Sequence, residues 1–205
     1  ILLFGVAFYI IAKEKSGKVP ENIVFIGDSI MHSSKKYIAP NFENPYFDTK
    51  IGRQFSTLPG IVSKLKEKDG IKSVLVVHLG TNGKFRERDF DDVVEMADGK
   101  DIFFINTVHK DPWEKEVNQL LAEKVEQYRQ KRKKIYLIDW YSYAKNERKY
   151  FYKDRTHLND AGQKFYADFI TSEIEKHYGI HFKFRDIMRI KNVGGLCDAI
   201  IDKAE

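Results

Sequence analysis

Two polar segments far apart in the chain contain the residue types that nucleophilic acyl chemistry requires. Ser29 stands in the motif GDSI, and Asp154 and His157 stand three residues apart in DRTHL. A serine hydroxyl becomes a nucleophile when an imidazole takes its proton, and a carboxylate orients that imidazole. The spacing in DRTHL allows the carboxylate to face Nδ1 of the ring and leaves Nε2 free to reach Ser29. We therefore predict a catalytic triad of Ser29, His157 and Asp154.

Acyl transfer also needs hydrogen-bond donors where negative charge develops on the carbonyl oxygen. The backbone N–H groups of Ser29 and Gly52 and the side-chain amide of Asn82 are the candidate donors. Asn82 lies in the turn-forming sequence GTNG, which follows a predicted strand. These three groups are the predicted oxyanion hole.

Each of these segments, taken singly, has a simpler interpretation. GDSI is also typical of a strand-to-helix turn in which Ser or Asp caps the helix, and GTNG is a good turn sequence by itself. Asp154 and His157 could equally be a surface carboxylate and a residue at a helix entry. His78 falls inside a predicted strand, so we expect it to be packed rather than catalytic. Only the combination of the segments favours an enzyme site.

Several other classes of site are excluded or disfavoured by what the sequence lacks. There is no Gly-x-Ser-x-Gly elbow, no His-Glu-x-x-His pair and no phosphate-binding P-loop. The single Cys197 excludes an internal disulfide and a multi-cysteine zinc site. We expect neither a metal nor a cofactor.

Buried strands alternate with helical segments between residues 22 and 178. Helix-period apolar residues precede the third, fourth and fifth strands, and a last helix follows from residue 159. Apolar runs without alternation are typical of strands covered on both faces, and strands alternating with helices indicate a parallel sheet. The predicted fold is α/β, a three-layer α/β/α sandwich with a central, mostly parallel sheet. The predicted strands are residues 22–27, 73–80, 101–108 and 134–140, with 47–52 as a weaker candidate.

The two ends of the chain differ from the region between them. Residues 1–12 are uncharged and apolar, and charged residues 13–15 follow. Because a bilayer span takes about 20 such residues, we interpret residues 1–15 as the end of a transmembrane helix; a signal-peptide core and a buried first helix are the alternatives. Residues 16–21 are then a linker, 22–182 the catalytic domain, and 183–205 a helical appendage of unknown role.

Composition is that of an ordinary globular domain with a small positive charge. The 205 residues include 35 Lys and Arg, 30 Asp and Glu, and 14% aromatics, with a formal net charge of +5. The basic run at residues 129–134, RQKRKK, raises the alternative of a non-enzymatic module that binds nucleic acid or another anionic polymer. The run also ends a predicted helix, where cations complement the helix dipole. We expect no nucleic-acid partner.

The ordered motifs resemble the SGNH (GDSL-type) hydrolase superfamily. The four blocks of that superfamily match Ser29 in GDSI, Gly52 in IGRQFS, Asn82 in HLGTNG, and Asp154 with His157 in DRTHL. Within the superfamily the chain is similar to the extracytoplasmic domain of bacterial peptidoglycan O-acetyltransferases, over roughly residues 22–177. The resemblance implies a flavodoxin-like sandwich and a Ser-His-Asp acyltransferase.

The resemblance also implies partners and a location. It implies transfer of acetyl onto muramoyl hydroxyls of peptidoglycan, with an acyl donor delivered by an integral-membrane acyltransferase domain. The catalytic domain would lie on the extracytoplasmic face of the cell membrane, attached through the N-terminal segment. An esterase that removes acetyl from glycans uses the same triad and stays open as the alternative. Arg53, Trp113 and Tyr141 are candidate walls of a glycan-binding groove.

Overall fold

A computed structural model describes residues 18–68 and 71–179. The chain divides into two units, residues 20–171 and a unit that contains both ends. Of the second unit the structure describes residues 18–19 and 172–179, the latter comprising the end of a helix and a turn. The predicted membrane segment at 1–15 and the appendage at 183–205 lie outside the described residues. None of the described helices is both long and apolar enough to cross a membrane.

Five strands and six α-helices alternate along the described residues. The strands are β1 (Val24–Gly27), β2 (Tyr46–Thr49), β3 (Val74–His78), β4 (Asp101–Ile105) and β5 (Ile135–Ile138). The helices are α1 (Ser29–Ile38), α2 (Leu58–Lys68), α3 (Glu87–Met96), α4 (Trp113–Gln130), α5 (Trp140–Ala144) and α6 (Asp160–His177). Short 3₁₀ turns lie at Ala39–Asn41, Phe55–Thr57 and Arg148–Tyr150.

The sheet has the order β2-β1-β3-β4-β5, and all four strand pairs are parallel. This order confirms the predicted α/β sandwich and is that of flavodoxin-like folds. The carboxyl ends of all five strands share one side of the sheet, here called the carboxyl edge; the opposite side is the amino edge. In such sheets ligands gather at the carboxyl edge where the strand order reverses, which is between β1 and β3.

Alternating side chains of the strands form two buried faces. Val24, Ile26, Leu75 and Val77 belong to the core cluster that also contains buried residues of α2, α3 and α4. Because successive side chains point to opposite faces of a strand, the residues between them face the other layer. There α1 packs so closely on β1 that a Cβ at Gly27 would lie 2.5 Å from Cβ of Met31.

Helix α6 buries a polar side chain together with its apolar ones. Tyr166 and Ala167 are fully buried, as are Ile170 and Ile174, whereas Ala161 near the start of the helix is exposed. The tyrosine is tolerated there because its hydroxyl hydrogen-bonds Nδ1 of the buried His78 at 2.7 Å. The hydrogen bond therefore satisfies a hydroxyl group that burial removes from water.

Candidate active site

Ser29 lies at the start of α1, directly after β1. The Asp28 side chain accepts a hydrogen bond from the Ile30 N–H at 3.0 Å and caps the helix, so Ser29 is its first residue. Ser29 is 7% exposed, and its hydroxyl is not used for capping. GDSI therefore contains both a helix cap and a candidate nucleophile, because Asp28 makes the cap and leaves the Ser29 hydroxyl available.

The three side chains predicted to form a triad are hydrogen-bonded in series. Oγ of Ser29 lies 3.1 Å from Nε2 of His157, across 128 residues of sequence. Nδ1 of the same ring lies 2.7 Å from Oδ2 of Asp154. With the proton on Nδ1, the ring donates to Asp154 and its Nε2 accepts from the Ser29 hydroxyl. This arrangement can draw a proton from serine during nucleophilic attack.

A tight loop at residues 151–158 holds Asp154 and His157. Phe151 and Leu158 close it as an isolated antiparallel bridge. Within it, the Tyr152 N–H donates to the His157 carbonyl at 2.8 Å. Because both ends of the loop are paired, the imidazole is carried on a short, constrained segment rather than on a free loop.

Asp154 is kept ionised by the groups around it. Its Oδ1 accepts the backbone N–H groups of Thr156 and His157, each at 3.0 Å. Partial burial alone would raise the pKa of this carboxyl, but the hydrogen bonds from the His157 ring and from these two N–H groups hold it below its ordinary value. An ionised Asp154 favours the imidazolium that forms when His157 takes a proton.

The other two predicted oxyanion donors lie on neighbouring loops at the carboxyl edge. Gly52 follows β2 with φ of +72°, a left-handed conformation that favours glycine. Asn82 follows β3, and its Nδ2 donates to the Arg53 carbonyl at 3.1 Å. This bond fixes the amide beside the Gly52 segment and leaves its second hydrogen available. The structure thus brings Gly52 and Asn82 together from separate parts of the sequence.

The three predicted groove residues occupy different environments. Arg53 is engaged by Asp48, with Nη2 at 2.6 Å from Oδ1 and Nη1 at 2.5 Å from the carbonyl oxygen. Trp113 packs against the core and stacks on His109 at 5.0 Å. Tyr141 lines a cavity at the carboxyl edge. Of the three, Tyr141 has the position expected of a groove wall.

A buried polar pair lies beneath the site. His78 and Tyr166 are both fully buried and hydrogen-bonded to each other. Burial lowers the pKa of His78, although the charge of Asp28 opposes this shift, and burial raises the pKa of Tyr166 well above its usual value. Both groups are therefore uncharged near neutral pH. His78 is packed as predicted, with its Nδ1 bonded to Tyr166.

The basic run at 129–134 comprises the end of α4 and the turn before β5, at the amino edge. Lys133 pairs with Asp98 at 2.6 Å, and Arg129 approaches Glu126 at 3.5 Å. Lys131 lies over the Tyr128 ring, 4.9 Å from its centroid. Much of the positive charge of the basic run is therefore engaged in contacts within the protein, at the edge opposite Ser29.

Sequence reasoning missed a group of cations at the carboxyl edge. A cavity of about 550 Å³ adjoins the 151–158 loop. The signal that could have found these cations was their position in the sequence, because they follow β4 and β5 or flank Asp154. Its cationic lining residues are Lys110, Lys145, Arg148, Lys153 and Arg155.

Within residues 18–68 and 71–179, no group of three or more His, Cys, Asp and Glu is arranged to hold a metal ion.

The chain is similar to a curated peptidoglycan O-acetyltransferase, although no known family profile matches it. It is 30% identical over 168 residues to peptidoglycan O-acetyltransferase OatA of Listeria monocytogenes. The match covers 80% of this chain and 26% of that protein. The chain therefore spans about a quarter of the length of this relative.

Solved structures with the same fold include transferase and lipolytic members. The C-terminal catalytic domain of Streptococcus pneumoniae peptidoglycan O-acetyltransferase A superposes with a TM-score of 0.67 at 18% identity, covering 78% of this chain and 96% of that one. A lipolytic G-D-S-L family protein from Veillonella parvula gives 0.57 at 16% identity, covering 75% and 96%. The chain has the fold of the SGNH (GDSL-type) hydrolases and is a homologue of the peptidoglycan O-acetyltransferases over four-fifths of its length.

Proposed function

We propose that this domain is a serine O-acetyltransferase that moves acetyl through an acyl-enzyme onto carbohydrate hydroxyls. The observation that carries the proposal is the series Ser29 Oγ to His157 Nε2 at 3.1 Å and His157 Nδ1 to Asp154 at 2.7 Å. The related acetyltransferase supports acetyl as the group transferred.

In the first half-reaction, Ser29 Oγ attacks the acetyl carbonyl carbon and its proton passes to His157 Nε2. Asp154 stabilises the resulting imidazolium. Negative charge on the carbonyl oxygen is met by the N–H groups of Ser29 and Gly52 and by the Asn82 amide. When the tetrahedral intermediate collapses, the bond to the donor oxygen breaks, and that oxygen takes the proton from His157.

In the second half-reaction, His157 removes the proton of a sugar hydroxyl as the sugar oxygen attacks the acetyl-Ser29 ester. Collapse of this intermediate forms the sugar acetate and breaks the bond to Ser29 Oγ, which recovers its proton from His157. Transfer exceeds hydrolysis only when the sugar hydroxyl is held in line with the acyl carbon, where its effective molarity exceeds that of water. A bound acceptor is therefore essential to the proposed reaction.

The proposed acceptor is peptidoglycan, which the name of the related acetyltransferase supports, and within it a muramoyl residue. The same kinship supports an extracytoplasmic catalytic domain of residues 22–182 at the cell membrane. In this arrangement residues 1–15 end a membrane helix, 16–21 link it to the domain, and an integral-membrane acyltransferase domain supplies the acetyl group.

A second candidate function is an esterase that deacetylates glycans. It is favoured by the openness of the site, because the His157 side chain is 50% exposed and water has access to the base. Both functions share the acetyl-serine intermediate. They differ in whether water or a sugar hydroxyl completes the reaction.

Mass spectrometry after incubation with 4-nitrophenyl acetate tests the shared intermediate. We expect one acetyl group on the peptide that contains Ser29. The Ser29→Ala variant should lose it and should turn over ester about a thousandfold more slowly or worse. Acetylation at another residue, or near-normal turnover by the variant, would rule out Ser29 as the nucleophile.

Added chitooligosaccharide separates the two functions. A transferase should produce acetylated oligosaccharide and consume the donor faster when the acceptor is present. Release of acetate alone, at a rate that the oligosaccharide does not change, would favour the esterase.

A further inference from the structure

We propose that the cavity beside the 151–158 loop is a binding site for the anionic groups of an oligosaccharide acceptor. This cavity, here called the basic cavity, is lined by Lys110, Lys145, Arg148, Lys153 and Arg155 among others. The inference rests on the proposed function, because it concerns what is held next to the acyl-enzyme.

The basic cavity is continuous in sequence with the predicted catalytic residues. Lys153 and Arg155 line it and flank Asp154 directly. Tyr152 also lines it, and the backbone of Tyr152 is hydrogen-bonded to that of His157. A ligand bound there is thus held against the same short loop that positions the imidazole.

The charge of the basic cavity is strongly one-sided. Five Lys or Arg side chains line it, against the single carboxylate of Glu114. Glu114 already accepts the backbone N–H of His109, and burial raises its pKa. In the part of the chain that the structure describes, no salt bridge is formed by Lys110, Arg148, Lys153 or Arg155.

This lack of salt bridges distinguishes the lining cations from Lys124 and Arg53, each of which is paired with a carboxylate. Lys124 is almost fully buried and lies 2.5 Å from Asp91, and Arg53 lies 2.6 Å from Asp48. Cations that converge on a concave surface without acidic partners raise the local concentration of anions. The site therefore favours carboxylate or phosphate groups over neutral ligands.

Aromatic side chains make the basic cavity suitable for sugars rather than for anions alone. Tyr141, Phe151 and Tyr152 line it, and Tyr152 is 56% exposed. Tyrosine combines an apolar ring face with a hydroxyl that can donate and accept hydrogen bonds. The cavity volume of about 550 Å³ is that of an ordinary small-ligand site and admits a short saccharide segment.

Direct binding to the whole chain tests the inference without any chemical step. The probes are labelled tetrasaccharides of equal length: one bearing muramic acid carboxylates, one phosphorylated chitotetraose and one neutral chitotetraose. We expect either anionic probe to bind about tenfold or more tightly than the neutral one at low salt, with the advantage shrinking as salt rises. The tighter of the two anionic probes identifies carboxylate or phosphate as the preferred group.

Two matched variants localise the binding. Lys145→Gln with Arg148→Gln removes two charges from the basic cavity and should remove most of the preference for the anionic probes. Lys131→Gln with Arg132→Gln removes the same charge from the amino edge and should change the dissociation constants by less than about twofold. Equal losses in both variants would overturn the inference, because they would reflect net charge alone.

Two further outcomes would also overturn the inference. They are equal affinity for the neutral and anionic tetrasaccharides, and tighter binding of a single-stranded oligonucleotide of the same charge. Failure of the proposed function is distinguishable from both. It would appear as an unacetylated Ser29 in a chain that still prefers the anionic saccharide.

Discussion

The domain has two concentrations of positive charge, at opposite edges of one sheet. At the amino edge, the basic run at 129–134 is conspicuous in the sequence, yet Lys133 and Arg129 are paired with acids of the same chain. At the carboxyl edge, the basic cavity collects cations from separate loops, and none of its five lysine and arginine side chains forms a salt bridge among the described residues. The charge available to a ligand therefore depends on spatial arrangement and ion pairing. A run of basic residues in the sequence is a poor measure of that available charge.

The two edges also differ in what their carboxylates do. Asp98 at the amino edge is exposed, and the hydrogen bond from Lys133 lowers its pKa. Asp154 at the carboxyl edge has its pKa lowered by hydrogen bonds from the His157 ring and from the backbone, against the opposing effect of burial. One carboxylate compensates a surface charge, while the other orients an imidazole.

The largest contrast is expected from removing the charge of one carboxylate at each edge. Asp154→Asn keeps the shape but no longer favours the Nδ1-protonated ring, and should slow acylation by about 10³ to 10⁴. Asp98→Asn is the matched control at the amino edge and should leave the rate unchanged. Release of 4-nitrophenol from 4-nitrophenyl acetate measures both. A loss below tenfold in Asp154→Asn would mean that the carboxylate is not needed to orient His157.

A smaller effect is expected from Asn82→Ala at the carboxyl edge. Loss of the amide donor should lower kcat by about 10² to 10³ with little change in KM, because the oxyanion forms only during reaction. Steady-state kinetics with a soluble acetyl ester separates the two constants. A change confined to KM would assign Asn82 to substrate positioning.

Two glycines provide a stability comparison that bears on the support of the 151–158 loop. A Cβ at Gly162 would lie 2.0 Å from the Tyr150 carbonyl oxygen, just before that loop, whereas one at Gly60 in α2 would meet nothing within 4 Å. Gly162→Ala should therefore destabilise the domain by about 1–3 kcal/mol through overpacking. Gly60→Ala should stabilise it by up to about 1 kcal/mol through helix propensity. Urea unfolding measures both, and equal effects would contradict the close packing of α6 on Tyr150.

The smallest effect is expected from neutralising the paired cations of the basic run. Arg129→Gln with Lys133→Gln removes two exposed ion pairs, which contribute little in high-dielectric surroundings. Acylation and binding of the muramic acid tetrasaccharide should both change by less than about twofold. A large loss of saccharide binding would place the acceptor at the amino edge and remove the distinction between the two regions.

The sheet and most helices could be predicted from local patterns. Apolar runs at 22–27, 73–80, 101–108 and 134–140 contain β1, β3, β4 and β5, and even the weak candidate at 47–52 overlaps β2. The central strands β1, β3 and β4 are buried on both faces almost throughout, so their composition alone marks them. The α4 start was less predictable: Asp111 stands before Pro112 as an N-cap residue would, but the cap position is Pro112, which makes no side-chain hydrogen bond. Asp111 instead lies beside His109, a local contact that helix signals do not encode.

The groove residues show a similar limit. Trp113 and Arg53 have the types expected at a sugar-binding surface, yet one packs against the core and the other pairs with Asp48. Asn118, a polar residue on α4, holds the Thr107 backbone through its amide oxygen and its amide nitrogen. Residue type tells which interactions a side chain can make, while its neighbours decide which one it makes.

The sequence by itself determined the fold class and the candidate chemistry, because buried strands, helix periodicity and the order of Ser29, Asn82 and His157 are properties of the chain alone. Tertiary structure decided that Ser29 and His157, 128 residues apart, meet at 3.1 Å. It also decided which cations are paired and which line the basic cavity. The physical reason is that parallel strands bring every carboxyl end to one edge, so loops distant in sequence share one site. The same edge determines which charged side chains lie near one another.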